Sequence, residues 1–347
     1  MTDTSSIGPG WPPAVSSCHR IKGIDTRGVI RESAQLGALL DSLEAESERL
    51  NHPDDGGCDR LSLRALCDES VIARSLPRIE PWAEAVLPLD DGSGRLLVYF
   101  GRNAGSRPCD AADLDRALAN VEIAEQRDVE KAAAMLRRVS DGGYGLRILT
   151  ADERRGSEEV LLGVADLYRR FGWNRDETRD ILQNPGSLIA VASTGGPGRR
   201  GEEIVCAGIA ELSHLEFGDG EELRMAEFTE AATLSTHQGR GLYSGVAATL
   251  MLELARRSAG QDLLGGELDL GFGECSGHDL GVLIAARRLG RRFARTASKQ
   301  RAWPVRGFLP QHVPIAGAPR STRYNDLFPT YFSRQTLYRF AESRSAV

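Results

Sequence analysis

One stretch constrains this chain more than any other: Ala231–Tyr243, AATLSTHQGRGLY. Apolar and β-branched residues run up to Leu234, and a turn holding two glycines follows. A helix then opens after Gly241, with Leu242, Val246, Leu250, Met251 and Leu254 at helical spacing. The first N–H groups of such a helix have no partner within it. With the helix dipole they make an anion site, and glycine lets a phosphate come close to the backbone. The turn has neither the Lys-Ser/Thr of a P-loop nor GxGxxG, which suits a pyrophosphate held without magnesium. An ordinary joint whose glycines only make the turn explains the same residues equally well.

The elements around this joint come in a readable order. Beyond Ser140-Asp141-Gly142-Gly143 the pattern predicts a strand at Leu146–Thr150 and helices over Glu153–Phe171 and Asp176–Leu182. A strand at Ser187–Ser193 follows, then two long strands over Glu203–Leu215 and Leu223–Leu234, joined at Phe217-Gly218-Asp219-Gly220. After the signature helix come a strand at Leu268–Gly273 and a helix over Leu280–Leu289, ended by Gly290. Upstream, Ile30–Leu50 reads as a helix and Arg95–Gly101 as a strand entered through Asp90-Asp91-Gly92-Ser93-Gly94. Residues 110–139 read as one long helix, acidic first and basic last. The expectation is a disordered arm at 1–17, a smaller N-terminal α/β domain over 18–140 and a second domain over 144–340. A chain of 347 residues suits two cores.

Gln238-Gly239-Arg240-Gly241-Leu242-Tyr243 resembles the Q/R-x-x-G-x-G/A signature of the GCN5-related N-acetyltransferase superfamily. The element order from Tyr144 to Tyr338 is similar to that fold: α+β, with a mixed, mostly antiparallel sheet flanked by helices. More loosely, Met225–Leu242 and Ala286–Trp303 look like the beta-lysine acetyltransferase subgroup. The resemblance implies acetyl-CoA as acyl donor, no metal, and a small-molecule amine, of the amino acid or diamine type, as acceptor. It places the pantetheine amides on the N–H and C=O of Thr233 and Leu234. The amides of Gln238, Gly239, Arg240, Gly241, Leu242 and Tyr243 would hold the pyrophosphate. Two positions depart from the pattern. Tyr243 stands where a small residue is usual, with a side chain able to point away. Ala286 stands where the family often has the tyrosine that protonates the leaving thiolate, which leaves water, Tyr324 or Tyr331 for that proton.

An amine nucleophile must lose a proton, and a carboxylate on the strand before the signature can take it. Glu227 and Glu230 lie there, on opposite faces of an unbroken strand. The net charge of −6 argues against a surface devoted to nucleic acid. Even so, Arg287, Arg288, Arg291, Arg292, Arg295, Lys299 and Arg301 form a basic run suited to a 3′-phosphate or to tRNA. A solvated helix end explains that run as well. An aminoacyl-tRNA-dependent transferase of the same fold and a catalytically silent CoA-binding protein are the competing functions. Six scattered cysteines without a CxxC pair give neither a disulfide framework nor a zinc site. No run of about 18 apolar residues spans a bilayer, and the polar start is unlike a secretory signal. A cytoplasmic location is expected.

Overall fold

The computed structural model describes residues 21–25, 29–50, 60–103, 111–169, 175–195, 202–216, 220–294, 307–314 and 324–344. The expected arm at 1–17 lies outside these residues, as do the Asn51–Asp59 turn and most of the Phe217–Gly220 loop.

The first sheet has four strands: β1 (Ile21–Asp25), β2 (Arg60–Asp68), β3 (Ala83–Pro88) and β4 (Arg95–Asn103), in the order β1-β2-β4-β3. β3 and β4 form the hairpin that Asp90–Gly94 predicts, and Asp90, Gly92 and Gly94 all take positive φ there. The Asp91 carboxylate accepts from the Ser93 amide and from Arg95. Helix α1 (Ser33–Leu50) packs Leu36, Leu39, Leu40 and Leu43 on one face of this sheet, against Leu63, Ala65, Val98 and Phe100. Short helices α2 (Glu69–Arg74) and α3 (Leu76–Ile79) connect β2 to β3.

Then come α4 (Ala111–Glu125) and α5 (Ala132–Asp141). The expected single helix over 110–139 is therefore two. A continuous charge pattern hides the break at Gln126–Glu130, where Arg127 N–H bonds back to Ala124 and Glu130 N–H bonds to the Arg288 carbonyl.

The second sheet is eight-stranded: β5 (Tyr144–Ile148), β6 (Ser187–Thr194), β7 (Glu203–Glu216), β8 (Glu222–Thr233), β9 (Leu270–Ser276), β10 (Arg292–Phe293), β11 (Leu309–Pro314) and β12 (Tyr324–Ser333). Its order is β10-β12-β9-β8-β7-β6-β5, with β11 on β12. All pairs are antiparallel except β8 with β9. The protein is thus an α+β fold with mostly antiparallel sheets.

Helices α6 (Ala151–Gly156), α7 (Glu158–Tyr168) and α8 (Arg175–Gln183) sit between β5 and β6. The helix expected over Glu153–Phe171 is broken at Ser157, whose hydroxyl caps α7 by accepting from Val160 N–H. α6 starts on a capping box between Thr150 and Glu153. Helix α9 (Leu242–Ala259) joins β8 to β9, α10 (Leu280–Arg288) follows β9, and α11 (Arg334–Glu342) ends the described chain.

Alternation along β8 and β9 sorts the two faces of this sheet. Ala226 and Phe228 face α9, in a core with Val246, Leu250 and Leu254. Leu223, Met225, Leu270 and Phe272 face the first sheet instead and pack with Leu66, Ala85, Leu87, Leu97 and Tyr99. α5 buries Ala132, Met135 and Val139 in the α9 core, and α4 buries Ala117, Val121 and Ala124 against α10. The change of packing partner therefore falls between β4 and α4.

Candidate active site

The β8–β9 ladder has three register pairs: Met225↔Leu270, Ala226↔Gly271 and Glu227↔Phe272. β8 runs on to Thr233 and β9 to Ser276, so past Glu227 the two strands leave one another. The strand that parts here leads straight into the glycine turn. Ser235–His237 makes one 3-10 turn, and Gly239 and Gly241 both take the left-handed conformation at φ 75°. A side chain at either position would be strained. Gly241 is the N-cap of α9 and supplies no side-chain cap, and the first helical bond runs from Gly245 N–H to Gly241 O at 3.1 Å. The amides of Leu242, Tyr243 and Ser244 thus open the helix.

Side chains from within and outside the joint hold its shape. The Tyr144 hydroxyl meets His237 Nδ1 at 2.9 Å, and Arg240 Nη1 donates to that hydroxyl at 2.7 Å. Arg240 Nη2 donates to the Thr236 carbonyl and Gln238 Nε2 to the Thr233 carbonyl, each at 3.4 Å. Arg138 of α5 lies against Gly241, its Cδ 3.2 Å from where a Cβ would stand, and is ion-paired with Glu130 at 2.6 Å. Arg138 and Tyr144 escape a sequence reading because they come from α5 and β5.

The structure bears on the expectations about this segment. Leu234 has no free amide: its N–H donates to Val205 O and its carbonyl accepts from His237 N–H, both at 2.9 Å. The Thr233 hydroxyl donates to Cys206 Sγ at 3.1 Å. The Tyr243 side chain points inward, towards Gly208 of β7. Its Cε2 lies 3.6 Å from where a Cβ on Gly208 would stand, and burial pushes its phenol up to about 12. Ala286 is buried with Ala117, Val121 and Ala124, so α4 occupies the space a larger residue there would need.

Glu227 faces the first sheet, and its carboxylate lies 3.5 Å from Arg64 Nη1 of β2. The two side chains are 30% and 25% exposed, so this corner of the interface opens to solvent. Glu274 of β9 lies beside them. Burial, and then the Glu227 charge, raise its pKa to about 7, while Arg64 and Arg60 pull the other way. The phenol of Tyr99 belongs to the same cluster, and burial and Glu274 raise it well above its ordinary value. Behind them Arg60 and Glu84 form a fully buried ion pair at 2.5 Å. Arg64, Tyr99 and Glu274 are the members that sequence reasoning missed. The Glu230 side chain and that of Tyr324 lie outside the described residues. Tyr331 is buried in the inter-sheet core and joins Glu227 through the register Glu227↔Phe272 and Phe272↔Tyr331. Two strand spacings separate them, about 10 Å.

The basic run does not make one solvent face. Arg288 pairs with Glu130 at 3.0 Å, Arg292 with Asp90 at 2.7 Å, and Arg291 is 1% exposed. Arg295, Lys299 and Arg301 lie outside the described residues. Among the described residues no helix is long and apolar enough to cross a membrane, and no group of His, Cys, Asp and Glu could hold a metal ion. A groove of about 820 Å³ lies along the C-terminal turns of α9, lined by Thr249, Leu252, Arg256 and Tyr338. Tyr144 also lines it and joins it to the glycine turn through His237 and Arg240, but the groove gathers no catalytic constellation.

No family model matches this chain, and no curated protein matches it. Solved structures resemble part of it. NAA60 of Arabidopsis thaliana, in complex with a bisubstrate analogue, is 12% identical with a TM-score of 0.39, over 55% of this chain and 98% of that one. The ribosomal-protein-S18-alanine N-acetyltransferase from Escherichia coli is 14% identical with a TM-score of 0.37, over 55% and 92%. The spermidine/spermine N-acetyltransferase of Vibrio cholerae is 15% identical with a TM-score of 0.35, over 57% and 98%. These neighbours are N-acetyltransferases. What this chain's own geometry defines is an α+β protein with a parted pair of parallel strands leading into an uncapped helix.

Proposed function

We propose that the protein is an acyl-CoA-dependent N-acyltransferase of the GCN5-related type, moving an acyl group, most simply acetyl, to a primary amine of a small molecule. One observation carries the reading. The β8–β9 ladder ends at Glu227↔Phe272, and the strand that leaves it runs into two left-handed glycines and the uncapped start of α9. These residues fit a long ligand with a diphosphate at one end. The amides from Gly239 to Ser244, with Arg240 and Arg138 beside them, would hold the phosphates, and the β9-side edge of β8 from Phe228 to Thr233 would accompany the arm.

The donor supplies an activated thioester carbonyl; the residues of this chain bind, orient and move protons. A new C–N bond replaces the C–S bond, the amine gives up one proton and the departing sulfur takes one. Glu227 and Glu274 are the pair that receives the amine and its proton, with Tyr99 beside them. A carboxyl raised to about 7 is a better base near neutrality than one at its ordinary value. Tyr331 is retained as the proton donor to the sulfur.

Binding and turnover test this together. Acetyl-CoA is expected to raise the melting temperature in a dose-dependent way, since a ligand of the folded state stabilises it by mass action. A panel of amino acids and diamines is expected to release free thiol. Glu227→Gln, Glu274→Gln and Tyr331→Phe are expected to keep the thermal shift and slow the release. A protein that shows no shift with any acyl-CoA tried would end this reading.

A further inference from the structure

Among the described residues Arg291 is the one member of the basic run that is buried. Gly290, at φ 81°, ends α10, and Arg291 N–H donates back to the Ala286 carbonyl at 3.1 Å. The side chain then turns under the second sheet, where it is 1% exposed. Its guanidinium carbon lies 3.9 Å from the centroid of the Phe228 ring and 5.7 Å from that of Phe332. Nη1 lies 2.9 Å from the point where a Cβ on residue 273 would stand, so the glycine there leaves the cation its space. Phe228 and Gly273 are the residues that follow the last register pair, Glu227↔Phe272. The guanidinium therefore sits at the fork where β8 and β9 part.

Two of its nitrogens, Nε and Nη2, are buried and have no hydrogen-bond partner among the described residues. They share one edge of the planar group, and that edge presents two parallel N–H donors. Among the described residues no carboxylate pairs with Arg291. The titratable groups that face it are the Tyr243 phenol from α9 and the Cys275 thiol from β9. A buried cation with free donors is unfavourable unless an anion completes it. Two coplanar N–H groups on one edge match the two oxygens of a carboxylate. The aromatic faces of Phe228 and Phe332 hold the guanidinium in place without using those donors.

We propose that Arg291 is a buried receptor for a carboxylate, carried either at the far end of the acyl chain or on the amine acceptor. The inference rests on the acyl-transfer reading for the route by which that group arrives, along the edge of β8 to the fork. It narrows the substrate class to one that bears a negative charge a short distance from the reacting carbon or nitrogen.

Calorimetric titration of the full chain and of Arg291→Met separates the two sources. In the donor arm the probes are acetyl-CoA, succinyl-CoA and the methyl ester of succinyl-CoA. In the acceptor arm they are lysine and lysinamide, with and without saturating CoA. A carboxylate on the acyl chain is expected to make succinyl-CoA bind at least about tenfold tighter than its neutral ester, and Arg291→Met to erase that difference with acetyl-CoA affinity retained. A carboxylate on the acceptor is expected to give the same preference for lysine over lysinamide, again lost in Arg291→Met. Equal binding of charged and neutral probes in both arms overturns the proposal, even with every thioester bound. If no thioester binds, the acyl-CoA reading fails by itself and the acceptor arm without CoA decides the role of Arg291. If Arg291→Met does not fold, the preference of the parent protein for charged over neutral probes decides it.

Discussion

Substitutions at Gly241 separate backbone strain from charge at the proposed phosphate site. The residue sits at φ 75°, ψ 14° as the N-cap of α9. A left-handed conformation costs an L-residue about 1–2 kcal/mol, and less for Asn. A Cβ there meets Arg138 Cδ at 3.2 Å, but Arg138 is 40% exposed and can move aside. Gly241→Ala is therefore expected to lose about 1–2 kcal/mol of stability. Gly241→Asp carries the same strain, offset by about 0.3–1 kcal/mol from a negative charge at a helix N-terminus. The free proteins should thus rank Gly, then Asp, then Ala.

Binding should rank differently. A carboxylate about 4 Å from one phosphate charge costs roughly 1 kcal/mol in water and about 4 at an effective dielectric of 20. With two charges on a pyrophosphate the penalty is on the order of 2 kcal/mol or more, at least about a thirtyfold loss of affinity. Gly241→Ala and Gly241→Asn add no charge and are expected to bind acetyl-CoA within about threefold of the parent. Chemical denaturation reads the first ranking and calorimetric titration the second. Acetyl-CoA binding by the Asp variant as tight as by the Ala variant would refute the placement of the phosphates at α9.

The remaining expectations concern the carboxylates and the helix crossing. If Glu274 is the base, the rate should rise as pH passes through about 7. Glu227→Gln, which removes a like charge, should move that midpoint down, and Arg64→Gln should move it up; two shifts of the same sign would remove Glu274 from the role. A pKa raised by folding also means stability that is full below about 4.5 and is lost as pH rises through about 7, so activity should climb over the window in which stability declines. Gly245→Ala puts a Cβ 2.5 Å from Val139 Cγ2 and 3.1 Å from Leu146 Cδ1. Overpacking of about 1–3 kcal/mol should outweigh the roughly 1 kcal/mol gain in helix propensity, and Val139→Ala should relieve it. Stabilisation by Gly245→Ala in the parent would mean that α5 does not pack on α9.

What was legible in the sequence was what local pattern determines. The change from strand to helix period around Gly239 and Gly241 places β8, the turn and α9 within a residue or two. Gly290 marks the end of α10, and its start at Leu280 is the expected one, with the Asp279 carboxylate accepting from Val282 N–H at 3.1 Å. The break at Ser157 was hidden because Ala151–Gly156 buries no apolar residue and so has no periodicity to break, although Ser157 is itself a good cap. The burial of Arg291 was illegible for a different reason. It stands in a run of arginines whose local chemistry is identical, and only the ring of Phe228 and the missing side chain at Gly273 set it apart.

The same distinction explains why Glu227 was found and its surroundings were not. Its position before the signature is a matter of spacing along one strand. Its chemistry depends on β2 and β4, which lie more than a hundred residues upstream and bring Arg64 and Tyr99 against it. On a solvated strand margin, two carboxylates across a strand pair would both titrate near their ordinary values, because water screens their repulsion. Once the first sheet covers that face, desolvation and the Glu227 charge act on Glu274 together, and Arg64 opposes them. Residues 60–103 therefore bring Arg60, Arg64 and Tyr99 against Glu274. The first sheet, which a reading of the signature leaves without a role, supplies three of the four side chains that act on the proposed base.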